Sequence, residues 1–302
     1  MSALYLLLLV EPAIGLGVAL LVSVFTARRR EPELTSRRVL AAVVGVAVVA
    51  AVLYIRAWGT LSWLPLPPEV TYSPDGYWLA RYLLPLVVGA VLVVASGWPI
   101  RARRAFGTAT LERRGVLTST SRWWLVGLAV LLVISVSVSI AAGLASGADE
   151  NGNFTWYELP VGAGLSGGTM IYGWYFSSPS GIAILVLLVA YVAALFVISR
   201  SALRVDPAID EFIRRHRARD ATAATAGALL LHLGAVFASL GGTASMRLTF
   251  MVRTGDITVV GPFAALGPAL GATGAVLTVL GFAAWWFVVV AAIRARRVAV
   301  SA

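Results

Sequence analysis

The chain contains no cysteine and no lysine, so all 24 of its basic residues are arginine. Without thiols there is no disulfide, no thiolate nucleophile and no Cys-ligated metal. Without a side-chain amine no Schiff base can form, which rules out a retinal pigment. His216 and His232 are the only histidines, too few for a His-rich metal or haem site. Charge is scarce as well: Asp, Glu and Arg make up 13% of the chain, against about 25% in soluble domains. No His-Glu-x-x-His and no pair of aspartates inside an apolar run is present. These absences predict a non-enzymatic protein with no cofactor and no metal. Arginine without lysine, in a chain rich in Ala, Val and Gly, fits a bacterial coding bias.

What the chain has in abundance is apolar length. Hydrophobic residues make up 59%, and the mean hydropathy is +0.87. Seven runs, at about 3–26, 39–57, 79–98, 123–145, 180–199, 221–242 and 262–292, can each cross a ~30 Å hydrocarbon layer as a helix. The predicted fold is all-α, a single polytopic domain of seven transmembrane helices in the plasma membrane, with the lipid bilayer as its solvent. The last run is long, with room for a tilted or re-entrant part near Pro262 and Pro268. The first is expected to be retained, because its charges follow the apolar run and no small-residue cleavage site stands out.

The net charge of +10 follows the connections. Arg28, Arg29, Arg30, Arg37 and Arg38 follow the first run. Arg101, Arg103, Arg104, Arg113, Arg114 and Arg122 follow the third. Arg200, Arg204, Arg214, Arg215, Arg217 and Arg219 follow the fifth, and Arg294, Arg296 and Arg297 the seventh. Only Arg56, Arg81, Arg247 and Arg253 fall on the other side. The Arg-rich side is expected to be cytoplasmic. That places the N-terminus and the 58–78, 146–179 and 243–261 loops outside, and the C-terminus and the 27–38, 99–122 and 200–220 loops inside. Topology accounts for the arginines, so no nucleic-acid partner is expected.

The outer loops carry most of the aromatic residues. Trp58, Trp63, Tyr72, Tyr77, Trp78 and Tyr82 sit around one loop. Phe154, Trp156, Tyr157, Tyr172, Trp174, Tyr175 and Phe176 sit around another. Such rings anchor at the headgroup level, or they form a lid over an amphipathic ligand, with Trp156 and Trp174 the leading candidates. The loops share a Thr-Trp-Leu-Pro and Gly-aromatic pattern that fits a diverged repeat of one helical hairpin. Gly162-x-Gly164-x-x-Gly167 spells a dinucleotide fingerprint, but it lacks the strand and helix context that the chemistry requires. Its glycines read as turn formers.

On the inner side, 200–220 predicts a short amphipathic helix lying on the leaflet, capped by Asp206 with Pro207 behind it. This helix is also the expected contact for a cytoplasmic protein partner.

Small residues recur on one face of the last two runs: Gly227, Gly234, Ala238, Gly241 and Ser245 in one, and Gly267, Gly271, Gly274, Thr278 and Gly281 in the other. The two helices should pack closely along these faces, with Gly271 intolerant of bulk. The other face of the sixth run bears Thr225, His232, Ser239 and Thr243, a polar stripe that must avoid lipid. Glu11 and His232 lie at similar depths, which predicts a contact between them in the bundle interior, structural or part of a proton or cation path. Arg81, Arg247 and Arg253 run against the charge trend. They are expected to form ion pairs that order the outer loops, or to hold an anion or lipid headgroup. Together these features point to a transporter or a transport-complex subunit for a small or amphipathic ligand. The alternative is a membrane sensor or scaffold that binds a protein partner through the 200–220 helix or the outer loops.

Overall fold

The structure, a computed structural model, describes residues 3–26, 36–58, 74–98, 120–162, 165–200, 207–252 and 255–299. It is mostly helical. The described helices are α1 (Ala3–Thr26), α2 (Ser36–Trp58), α3 (Pro74–Gly97), α4 (Arg122–Leu144), α5 (Trp174–Arg200), α6 (Pro207–Ala244) and α7 (Gly267–Ala299). Six of them, α2 to α7, are long and apolar enough to cross a membrane. The described side chains of α1 supply a shorter apolar stretch, Leu9–Phe25.

The all-α expectation needs one correction, because two small antiparallel sheets sit at one end of the bundle. β1 (Gly147–Ala148), β2 (Phe154–Gly162) and β3 (Leu165–Met170) form the first. β4 (Arg247–Val252) and β5 (Gly255–Val260) form the second. β2, β4 and β5 carry the β-branched and aromatic residues that favour strands, and Asp149, Gly152 and Asn153 between β1 and β2 are turn formers. The sheets meet: the Leu248 side chain lies where a Cβ on Gly167 would go. The Thr243 hydroxyl, at the end of α6, donates to the Met170 carbonyl at 3.0 Å. The 59–73 segment, which carries the other half of the proposed repeat, lies outside the described residues.

α5 starts at Trp174 rather than near 180. Pro179 falls in the second turn, where it removes the N–H that would bond the Tyr175 carbonyl. The segment read as a separate surface helix is instead the first part of α6, which runs unbroken for 38 residues, about 57 Å. The Ala-rich stretch 218–226 holds no Gly or Pro that could end a helix there. The charged face of this extension is buried rather than laid on a leaflet. Asp210, Arg214 and Arg217 are each under 9% exposed, and Asp210 pairs with Arg214. Arg217 donates to the carbonyls of Gly97 and Trp98, both at 3.0 Å, and so caps the C-terminal end of α3. Asp206 lies outside the described residues.

The core is built on α6 and α7, the most extensive helix pair. Gly227 makes room for the Trp285 indole, whose Nε1 donates to the Ala224 carbonyl at 3.0 Å. Further along, a Cβ on Gly274 would stand 2.8 Å from the Ala238 nitrogen, and one on Gly241 would stand 2.8 Å from the Gly271 nitrogen. Backbone meets backbone there, which only small residues permit. Gly15 seats α1 on α7 at Phe282 and Ala283, while α1 scarcely meets α2. The apolar side chains of α1 and α4 that the bundle leaves uncovered, such as Leu21, Phe25, Val133 and Leu144, are what a lipid-facing surface requires.

Candidate functional site

Toward the sheet-bearing end, α1, α2, α3, α6 and α7 enclose a cavity of about 100 Å³. Its charged lining is Glu11, Arg56 and Arg81. Its small wall includes Gly234, Ala238, Gly271 and Gly274. Glu11 forms an ion pair with Arg56 from the last turn of α2, and each side chain is about a fifth exposed (20% and 22%). This pair bridges α1 and α2, helices that touch little among the described residues. Pro12 and Pro85 stand beside the site, inside α1 and α3. Each removes a backbone N–H, and Pro85 leaves the Arg81 carbonyl without its usual helical donor.

Arg81 projects from the second turn of α3 with its guanidinium 5.1 Å from the Trp78 ring centroid. No carboxylate pairs with Arg81 or with the exposed Arg247 on β4 among the described residues. The expected loop-ordering ion pairs are therefore absent at these two positions. Asp149 is engaged within its own turn, Glu150 and Glu158 are exposed, and Arg253 lies outside the described residues.

His232 does not meet Glu11. Its Nδ1 lies 3.0 Å from the Tyr82 carbonyl, so Nδ1–H donates there, and Nε2 faces the Tyr172 hydroxyl at 3.5 Å. The reason is helical phase. Leu231, Gly234, Ala235 and Ala238 present one face of α6 to the cavity, and one residue on, at about 100° around the helix, His232 points towards α3 and α5. Of the polar stripe, Thr225 is fully buried and donates to its own helix at the Ala221 carbonyl (2.9 Å). Ser239 faces the Tyr82 hydroxyl. The stripe is thus a packed polar seam rather than the wall of the cavity.

Tyr82 and Tyr172 differ from the headgroup anchors expected of them. They are 1% and 0% exposed, and their rings meet edge to face at 4.7 Å. Trp156 lies over Gly168 of the neighbouring strand, and Trp174 lies over Gly143 at the end of α4. Both indoles are about two-fifths exposed (39% and 37%) and clamp secondary structure together. Gly271 also differs from its expected role. A Cβ there would meet nothing within 4 Å, because the residue lines the cavity.

Arg56 was missed as a site residue because the charge count places it with the outer loops. The legible signal was an arginine two residues from a helix end, opposite the single acid of α1.

The β1–β2 turn is held by Asp149. Desolvation works to raise its carboxyl pKa. The Asn153 N–H, the Thr155 hydroxyl and the Asn151 N–H outweigh that and hold the group below its usual value. Because the folded value is the lower one, the turn gains its full support above about pH 4, the ordinary unfolded value, and loses it as pH falls through the folded value. Amide exchange at Asn151 and Asn153, corrected for the intrinsic rate, should therefore quicken on acidification below about pH 4. Unchanged protection would contradict the role given to Asp149.

No protein-family model, no curated protein and no solved structure matches the chain.

Proposed function

We propose that the protein is a non-enzymatic transporter, or the membrane subunit of a transport complex, for a small ligand. In this reading it spans the plasma membrane seven times, with its N-terminus and both sheets outside and its C-terminus in the cytoplasm. The observation that carries the reading is the charged cavity, formed by five helices and placed toward the end that bears the sheets. A carboxylate and two guanidiniums within apolar helices are costly and mark a solute path by default. Pro12 and Pro85 each free a backbone carbonyl beside this polar site, a source of polar groups within a membrane. The arginine asymmetry supplies the orientation.

A sensor or scaffold is the second reading. Its partner surface would be part of the lipid-facing side of α4, which leaves Trp123, Val126, Val130, Val133 and Leu144 uncovered. Burial of Asp210, Arg214 and Arg217 removes much of the charged surface through which the 200–220 segment was expected to dock.

The absence of native cysteine makes the test direct. Ala275→Cys places a thiol on the cavity wall. A transporter should let an impermeant maleimide reach it from the outside in right-side-out vesicles and from the cytoplasmic side in inverted ones. Reaction from one side only, together with a co-purifying membrane protein, would favour the scaffold.

A further inference from the structure

We infer that the cavity is a binding site for a small anionic group, a carboxylate or a phosphate, held by Arg81. The inference rests on reading the cavity as a solute site and names the chemistry of the solute. The charges decide its sign: Glu11 neutralises Arg56, and Arg81 has no carboxylate partner among the described residues, so the lining carries one net positive charge. A guanidinium over an aromatic face, as Arg81 lies over Trp78, keeps its N–H donors in its own plane, free to grip an anion in two-point fashion. Around it the wall is Pro85, Leu231, Ala235, Ala238 and Ala275. These are apolar groups that lower the local dielectric and strengthen attraction to an anion. Gly271, whose backbone meets Gly241, leaves the space on its Cβ side open.

Size limits the ligand further. The volume of about 100 Å³ is well below the ~300–1,000 Å³ of sites that hold drug-sized ligands, and it suits one carboxylate or phosphate group. Glu11 sets the affinity, since it holds Arg56 back and subtracts one charge. A free anion and the headgroup of an anionic lipid present the same chemistry to Arg81.

The test uses the full chain in phosphatidylcholine nanodiscs, with Ala275→Cys reporting occupancy. Inorganic phosphate or acetate should slow maleimide labelling of the cysteine. Arg81→Gln should weaken that protection about ten-fold or more, and Glu11→Gln should strengthen it. Gly271→Leu, whose Cβ would meet nothing within 4 Å, should fill the space and abolish protection while the fold persists, and so controls for misfolding of the Arg81 variant. A second arm adds phosphatidylglycerol to the discs. Lipid retained by the parent protein and lost from Arg81→Gln would assign the anionic group to a headgroup. Absence of Arg81-dependent binding in both arms overturns the inference. If the cysteine reacts in turn from both sides yet no anion protects it, the transport reading stands and this inference fails. Protection without two-sided reaction sustains the inference and rejects transport.

Discussion

Gly274→Leu is expected to unfold or severely destabilise the bundle, whereas Gly271→Leu, one turn away on the same helix, should melt close to the parent protein. The two glycines look equivalent in the sequence, three residues apart on one small-residue face. In the structure they face different things. A Cβ on Gly274 would stand 2.8 Å from the Ala238 nitrogen and 2.9 Å from the Gly234 carbonyl oxygen. Neither atom can move without shifting α6. Overpacking a core costs about 1–3 kcal/mol even where side chains can adjust. Against rigid backbone, a leucine should reach or exceed the top of that range. It would also part α6 from α7, the pair on which the Trp285 contacts depend. At Gly271 the new side chain enters the cavity instead. Thermal melting of the two variants in the same detergent separates the cases, and equal melting temperatures would show that the α6–α7 contact has been misplaced.

Arg56→Ala should be the next most damaging change, at about 2–3 kcal/mol. Removing one partner from a fully buried ion pair costs roughly 3–5 kcal/mol, because the other charge is left uncompensated. Here each partner keeps about a fifth of its side chain exposed (22% and 20%), and the cavity can admit water, so the figure is reduced. Glu11→Gln should cost less, about 1 kcal/mol, since Arg56 keeps a hydrogen-bonding amide beside it. The double variant should be less damaged than the sum of the singles, by on the order of 1 kcal/mol. Denaturation of all four proteins closes the cycle, and strict additivity would mean that the pair does not join α1 to α2. The pair matters out of proportion to its area because, among the described residues, α1 packs mainly on α7.

Much of the helical framework is legible in the sequence because lipid imposes a simple rule. Charge-free apolar runs form helices, and their ends fall where Arg, Gly and Pro collect. The small faces of α6 and α7 are also legible, since offsets of three and four residues define a helix face without further information. What composition hides is phase and partnership. Glu11 and His232 share a depth, but a rotation of one residue on α6 turns the imidazole to Tyr82 and leaves Glu11 to Arg56. Depth along a helix can be counted from sequence, whereas the direction across the bundle depends on which helices are neighbours. The β-hairpins were readable in principle. Thr249-Phe250-Met251-Val252 and Ile257-Thr258-Val259-Val260 are two β-rich runs separated by the short polar stretch Arg253-Thr254-Gly255-Asp256, which is a hairpin signal. The aromatic content of the longer loop fits a membrane interface as well as a strand. Tyr82 and Tyr172 show the same ambiguity, because a tyrosine near a helix end serves equally well as an interfacial anchor or as a buried, hydrogen-bonded ring.

The central claim is that the cavity opens to the outside, beneath the sheets, and one labelling experiment in intact cells tests it. Single cysteines at Asn151, in the β1–β2 turn, and at Arg215, on the exposed face of the α6 extension, mark the two ends of the bundle. An impermeant maleimide should label Asn151→Cys in intact cells and Arg215→Cys only after the membrane is opened. Labelling in the reverse order would turn the cavity towards the cytoplasm and contradict the account.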